Sequence, residues 1–179
     1  DKHQKWIEIN SFSWGVSQTG ANSSGGGGGA GKVSVQDFHF VAPVSLASPL
    51  LADAVVSGIP QRRPNATLFV QKEGSAGYLK YELKNVVISS YLVRSINNEQ
   101  PLEEFSIQFG DLDSTYRTSS DSSGQFEVTE GSLDVRSSDA RLRGPSIIAD
   151  TKVTSSAYDS FLKIDGIKGC KTYRLARCI

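Results

Sequence analysis

The sequence predicts a mostly β protein, an antiparallel β-barrel or sandwich carrying one short α-helix. Three observations predict it. Apolar and polar residues alternate in run after run, as at Phe105, Ile107 and Phe109. Turn-rich pieces such as Glu73-Gly74-Ser75-Ala76-Gly77 separate the runs. One segment alone combines helical spacing with a helix start signal.

The elements follow in order. Residues 6–14 read as a strand, with Ile7 and Ile9 alternating against Glu8 and Asn10. Residues 15–31 are dominated by Gly, Ser, Asn and Thr, which in isolation describes a flexible loop. Residues 33–40 return to strand character, but Val33 and Val35 share one parity while Phe38 and Phe40 share the other. That switch predicts a bulge or a change of buried face. Ser48 is the expected N-cap and Pro49 the first helical residue, where a missing N–H costs nothing. Leu51, Ala54 and Val55 would share the helix's inner face, and Gly58 would close it as a left-handed C′ residue.

Strands are then expected at 66–71, 78–83, 86–93 and 103–109. From 111 to 160 the composition turns to Ser, Asp, Thr and Arg, with sparse apolar residues at Phe126, Val128, Leu133, Val135, Ile147 and Ile148. This stretch reads as connector or short edge strands. Residues 161–164 form a last strand. Residues 1–169 are expected to make one domain, with 111–156 as that connector and 170–179 as a tail.

The bulk properties narrow the function. The chain has 179 residues, enough for one well-cored domain and short for two. Its 19 basic and 19 acidic residues cancel, so neither a nucleic-acid footprint nor an acidic tail is expected. No apolar stretch approaches the roughly 20 residues of a membrane span, and Asp1-Lys2-His3-Gln4-Lys5 lacks the apolar character of a signal peptide. The expectation is cytoplasmic synthesis without membrane insertion. Met is absent, which suggests a trimmed, re-ordered or engineered chain. Cys170 and Cys178 are the two cysteines, too localised for a disulfide framework.

No reactive constellation is evident. Gly26-x-x-x-x-Gly31-Lys32 approaches a phosphate loop, but Val33 stands where Ser or Thr would meet the metal, and a strand follows instead of a helix. Ser34, Asp37 and His39 would fall on opposite faces of one strand, which is wrong for a triad and makes His39 a surface residue. Asp111, Asp113, Asp121 and Asp134 lack calcium-loop spacing, and no Cys or His cluster suggests zinc. The sequons at Asn22 and Asn65 read as chance. The expectation is a protein that is not an enzyme, with no metal and no cofactor.

Longer motifs carry a resemblance. Ser13-Trp14-Gly15-Val16-Ser17-Gln18-Thr19-Gly20, the run Gly25, Gly26, Gly27, Gly28, Gly29, and Gly31-Lys32-Val33-Ser34-Val35-Gln36-Asp37-Phe38 together resemble the Hcp (haemolysin-coregulated protein) family of type VI secretion. The helix opening Ala47-Ser48-Pro49-Leu50-Leu51 and the residues from Tyr78 through Tyr91 are similar to further parts of that family. The resemblance covers residues 1 to about 109 and 157–169. Phe161-Leu162-Lys163-Ile164-Asp165-Gly166 resembles a strand that opens family members, whereas here it comes late. By this resemblance the chain looks circularly permuted.

The resemblance implies a hexameric ring that stacks into the inner tube of the secretion machine. Its partners would be other copies of itself, the sheath, the spike, and effector cargo held in the lumen. Assembly would be cytoplasmic and export extracellular. Gly15, Val16, Ser17, Gln18, Thr19, Gly20, Gly25 to Gly29, Gly31 and Lys32 would form the ring-stacking loop. Glu8, Lys32 and Asp37 would be rim charges, and residues 86–93 and 103–109 would supply strand edges for the ring. The tail Cys170 to Cys178 has no family counterpart and reads equally as a disulfide-closed peptide, a conjugation handle or a reduced tail. The other readings are an engineered permuted scaffold that displays this tail, and a monomeric ligand-binding barrel. An added effector enzyme does not fit, because residues 111–156 are too few and too polar to bury a second core.

Overall fold

The fold is taken from a computed structural model, which describes residues 3, 5–19, 32–57, 64–72, 75–95, 100–118, 127–135 and 158–167. The elements are β1 (Ile7–Ile9), β2 (Ser11–Ser13), β3 (Val16–Thr19), β4 (Lys32–Val35), β5 (Phe38–Pro43), α1 (Ser48–Ser57), β6 (Ala66–Lys72), β7 (Tyr78–Lys84), β8 (Val87–Arg94), β9 (Leu102–Gln108), β10 (Asp111–Arg117), β11 (Val128–Asp134) and β12 (Tyr158–Ile164). They form a six-stranded sheet ordered β1-β12-β6-β7-β10-β11 and a four-stranded sheet ordered β2-β5-β9-β8, with β3 and β4 a separate pair. Every pairing is antiparallel.

The chain passes between the two sheets at sharp corners. The expected strand over residues 6–14 is two strands, because the chain changes sheet at Asn10, whose N–H donates to the Val41 carbonyl at 2.8 Å. Between β7 and β8 the corner is Asn85, at φ 56°, a left-handed conformation that Asn tolerates better than most residues. Between β9 and β10 it is Gly110, whose N–H reaches the Lys84 carbonyl at 3.0 Å. The parity switch over residues 33–40 has the same cause: β4 belongs to the small hairpin, and β5 enters the four-stranded sheet.

Alternation fills the space between the sheets. Phe38, Phe40, Phe105 and Ile107 meet Leu68, Leu83, Leu162 and Ile164, all essentially inaccessible to solvent. Phe40 stacks on Phe105 at 5.3 Å and on Phe38 at 5.7 Å, and Trp14 closes the row on Phe38 at 5.1 Å. Offset aromatic pairs of this kind add to simple area burial. On the opposite face of the larger sheet, His3 packs among Trp6, Phe69 and Phe161.

Three expectations are corrected. Residues 111–117 are neither connector nor edge: β10 is paired on both sides, by β7 and β11. Its Asp, Ser and Thr composition concealed a strand whose inner face places Leu112 in the core opposite Leu83 and Leu133. Residues 103–109 cannot offer an edge either, because β9 lies between β5 and β8. In α1, Val55 is 37 % exposed. The buried line runs through Ser48, Leu51 and Ala54, and Val55 lies just beyond it.

Candidate interaction surface

Helix α1 rests on β8, the edge strand of the smaller sheet. The cap of α1 differs from the expected one. The first α-helical hydrogen bond runs from Leu51 N–H to the Ala47 carbonyl at 2.9 Å, so Ser48 is the first helical residue and Pro49 the second. Ser45 stands just ahead of the helix: its hydroxyl accepts from Ala47 N–H at 3.2 Å, while its own N–H donates to Ser48 Oγ at 2.8 Å. These two bonds, with Ser48 N–H to the Ser45 carbonyl at 3.1 Å, close a tight turn just ahead of the N-cap Ala47. Pro49 still falls in the first turn, where no N–H is needed. The proposed C′ residue Gly58 lies outside the described residues.

Ser48 also borders a carboxylate. Glu103 continues the inward series Glu103, Phe105, Ile107 on β9 and is fully buried, at 0 % exposure. Tyr91 Oη donates to Glu103 Oε2 at 3.0 Å, while Oε1 is buried without a hydrogen-bond partner. A β-bulge at Ser89 and Ser90 makes the Tyr91 contact possible. Ile88 and Tyr91 are three residues apart and would face opposite ways on a regular strand; the extra residue turns both inward. Burial raises the Glu103 pKa above the ordinary carboxylate range, against the opposing pull of the Ser48 and Tyr91 hydroxyls. Burial also raises the Tyr91 pKa, followed by its bond to Glu103.

The next residue faces out. Glu104 pairs with Arg94 and lies 3.7 Å from His39 Nε2. His39 Nδ1 in turn pairs with Ser106 Oγ at 3.2 Å. Asp37 accepts from the Ser89 hydroxyl at 2.7 Å, and β4 holds Ser34 away in the hairpin. The residues weighed for a triad are therefore not brought together.

Exposed apolar side chains occur around α1 and β8: Leu46 just before the helix, Leu50 and Val56 on it, and Val87, Leu92 and Val93 on the edge strand, with Leu92 and Val93 on opposite faces of the sheet. The larger sheet is different. Its outer face over β7, β10 and β11 forms a depression of about 350 Å³ lined by Lys80, Glu82, Asp113, Thr115, Glu130 and Ser132. Ion pairs cross it, Lys80 to Glu82 at 2.9 Å and, beside it, Lys84 to Asp113 at 2.7 Å. The hydrogen bond to Asp113, then its charge, raises the Lys84 pKa.

The expected stacking loop is described only at its base. Val16, Ser17, Gln18 and Thr19 pair with Lys32, Val33, Ser34 and Val35. Gly15 anchors this hairpin by accepting from Gln36 N–H at 2.8 Å, and a Cβ on Gly15 would stand 3.0 Å from the Gln36 side chain. Gly20, Gly25 to Gly29 and Gly31 lie outside the described residues, as do Cys170 and Cys178. Among the described residues, no cluster of three His, Cys, Asp or Glu side chains could hold a metal ion, and no helix is long and apolar enough to cross a membrane. Sequence reasoning missed Glu103, although its even spacing with Phe105, Ile107 and Phe109 was the available signal.

The fold is that of a two-sheet antiparallel β-sandwich with a separate β3–β4 pair and one helix on the edge strand of the smaller sheet. The family described as "Type VI secretion system effector, Hcp" matches residues 1–116, and the chain belongs to that family, whose members are tube proteins and not enzymes. No curated protein matches. Among solved structures, one titled as a type six secretion system protein is 23 % identical, with 75 % of this chain and 86 % of that one covered and a TM-score of 0.66. Hcp1 from Salmonella typhimurium is also 23 % identical, with 79 % and 87 % covered and a TM-score of 0.60. A type VI secretion system effector from Yersinia pestis is 23 % identical, with 75 % and 88 % covered and a TM-score of 0.57.

Proposed function

We propose that the chain is a ring-forming subunit, six copies to a ring, whose rings stack into the inner tube of a type VI secretion system and carry effector cargo in the lumen. The observation that carries this reading is the exposure of Leu46, Leu50 and Val56 at α1 and of Val87, Leu92 and Val93 along the edge strand β8. Exposed aliphatic side chains clustered on a helix and an open strand edge mark a surface that another protein covers. A head-to-tail contact made by this surface against a different patch of the next copy closes into a ring.

In the same reading one unit spans residues 1–169, and the β3–β4 hairpin carries Gly15 to Lys32 toward a neighbouring ring. Sheath, spike and cargo are its further partners, assembly is cytoplasmic, and the tube is exported. The strand order supports a permuted chain. Strands β12 and β1, from opposite ends of the sequence, are antiparallel neighbours with Ile7 opposite Leu162, and Gly166 follows β12 at φ 85°. This is the arrangement of a hairpin whose two halves have been separated in sequence.

The test is negative-stain electron microscopy of the purified chain, with and without reductant, beside Leu50→Asp and Val56→Asp. Rings or tubes are expected from the parent chain. Both variants should unfold at nearly the parent temperature, because surface changes usually shift stability by less than about 0.5 kcal/mol, yet lose the rings. Monomers from the parent under all conditions would overturn the reading. Loss of stacking on adding reductant would give Cys170 and Cys178 a structural role.

A further inference from the structure

We propose that Glu103 is a proton-operated latch that seats helix α1 on the smaller sheet. The carboxyl group lies at 0 % exposure with Oε1 unpartnered, and its one hydrogen bond comes from Tyr91 on β8, the strand on which α1 rests. Ser48, buried in the first turn of α1, places a neutral hydroxyl on the helix side of the group while its Oγ accepts the Ser45 N–H. On β5 the residue in register with Glu103 is Ala42, which carries no charge. On β8 it is Val93. The charged neighbours Glu104, Arg94 and His39 stand on the other face of the sheet. Tyr91 is therefore the titratable side chain that faces Glu103, and no cation among the described residues compensates it.

A buried carboxylate without a cation is costly, whereas its neutral acid is not. The proton thus decides how well the floor beneath α1 suits the helix. When Glu103 is neutral, the helix start is seated on an uncharged floor. When it is ionised, water must reach the group, and the route to it lies along the contact between the first turn of α1 and β8. The direction follows from linkage: the folded chain retains a proton that the unfolded chain has lost, so this contribution is greatest at or below the ordinary glutamate range and fades as pH rises through the folded pKa. Helix α1 carries Leu46, Leu50 and Val56 on or beside its open face, so, resting on the ring reading, the same proton tunes the presentation of the assembly surface.

The experiment is hydrogen exchange by mass spectrometry on the full chain between pH 5 and 8.5, corrected for intrinsic exchange, comparing a peptide over residues 46–57 with one over β9. In the parent chain the α1 peptide should lose protection by about tenfold for each unit of pH above the ordinary glutamate range, until the folded pKa is passed. In Glu103→Gln, which keeps the shape and an acceptor for Tyr91, that slope should vanish. Tyr91→Phe removes a donor to the ionised form and should move the midpoint to higher pH. An α1 peptide whose protection ignores pH, an equal slope in Glu103→Gln, or an unmoved midpoint in Tyr91→Phe would each overturn the latch. Titrating α1 protection in a chain that forms no rings would sink the ring reading and leave the latch standing.

Discussion

Glu103 and Glu104 are adjacent on β9, yet they belong to different chemical regimes. Glu103 looks into the sandwich, where the Tyr91 hydroxyl is its hydrogen-bond partner and burial pushes its proton affinity up. Glu104 looks outward, where half-exposed Arg94 and His39 stand beside its largely covered carboxylate. The period of a strand is two, so one step along the backbone exchanges a desolvated group for a screened one. On the inner face of this sheet, stability and proton binding are linked. On its outer face, the largely covered Glu104 is answered by a half-exposed arginine, and the net contribution of the pair is small.

The comparison is tested most severely on the inner face. Phe105→Ala should cost about 3–5 kcal/mol, because a large aromatic leaves a cavity that the surrounding rings cannot fill. Phe105 is fully buried against Phe40, so little relaxation is available. Its outward neighbour Ser106→Ala should shift stability by less than about 0.5 kcal/mol. Urea denaturation of both variants measures the contrast, and similar losses would mean that the two faces are not distinct.

Tyr91→Phe comes next. It removes a donor from a buried acid and should cost about 1–3 kcal/mol where Glu103 is ionised. Below the folded pKa the loss should shrink, since a neutral acid needs that donor less. Glu103→Gln should behave in the opposite sense. By removing the ionisable group it should raise the melting temperature relative to the parent at pH 8 and do so much less at pH 5. A melting-temperature difference that stays constant across this range would show that Glu103 does not titrate in the folded state.

Much of this contrast was legible in the sequence, though not its most consequential part. Alternation located β6, β7, β8 and β9 to within a residue or two, because each alternates apolar residues toward one core. Alternation says nothing about where a strand ends and the next sheet begins. Residues 6–14 thus read as one strand although Asn10 turns the chain into a second sheet. Strand β10 was hidden because its inward positions are Leu112, Ser114 and Tyr116, and one buried leucine among polar residues does not make a pattern. Glu103 was hidden for the converse reason: a charged residue within an apolar series reads as surface unless the series itself is trusted. The bulge that brings Tyr91 to it depends on pairing with β9 and leaves no local signature beyond two consecutive serines.

The smallest expected effect lies on the outer face, and it completes the comparison. Arg94 and Glu104 form an ion pair in which the arginine side chain is half exposed and the carboxylate largely covered. Arg94→Ala should cost no more than about 1 kcal/mol, because the pair's attraction is offset by side-chain ordering and screened by water. The loss should decline further as salt rises and the screening length shortens. Covering the same pair with an apolar neighbour, as the Leu92 and Val93 surface beside it would be covered within a ring, would reduce that screening. Arg94→Ala should therefore be nearly silent in an unassembled chain and lower the proportion of rings in an assembling one. Sedimentation velocity at low and high salt separates the two cases: a ring fraction insensitive to Arg94 at either salt would place the ion pair outside the contact and confine the assembly surface to α1 and the apolar residues of β8.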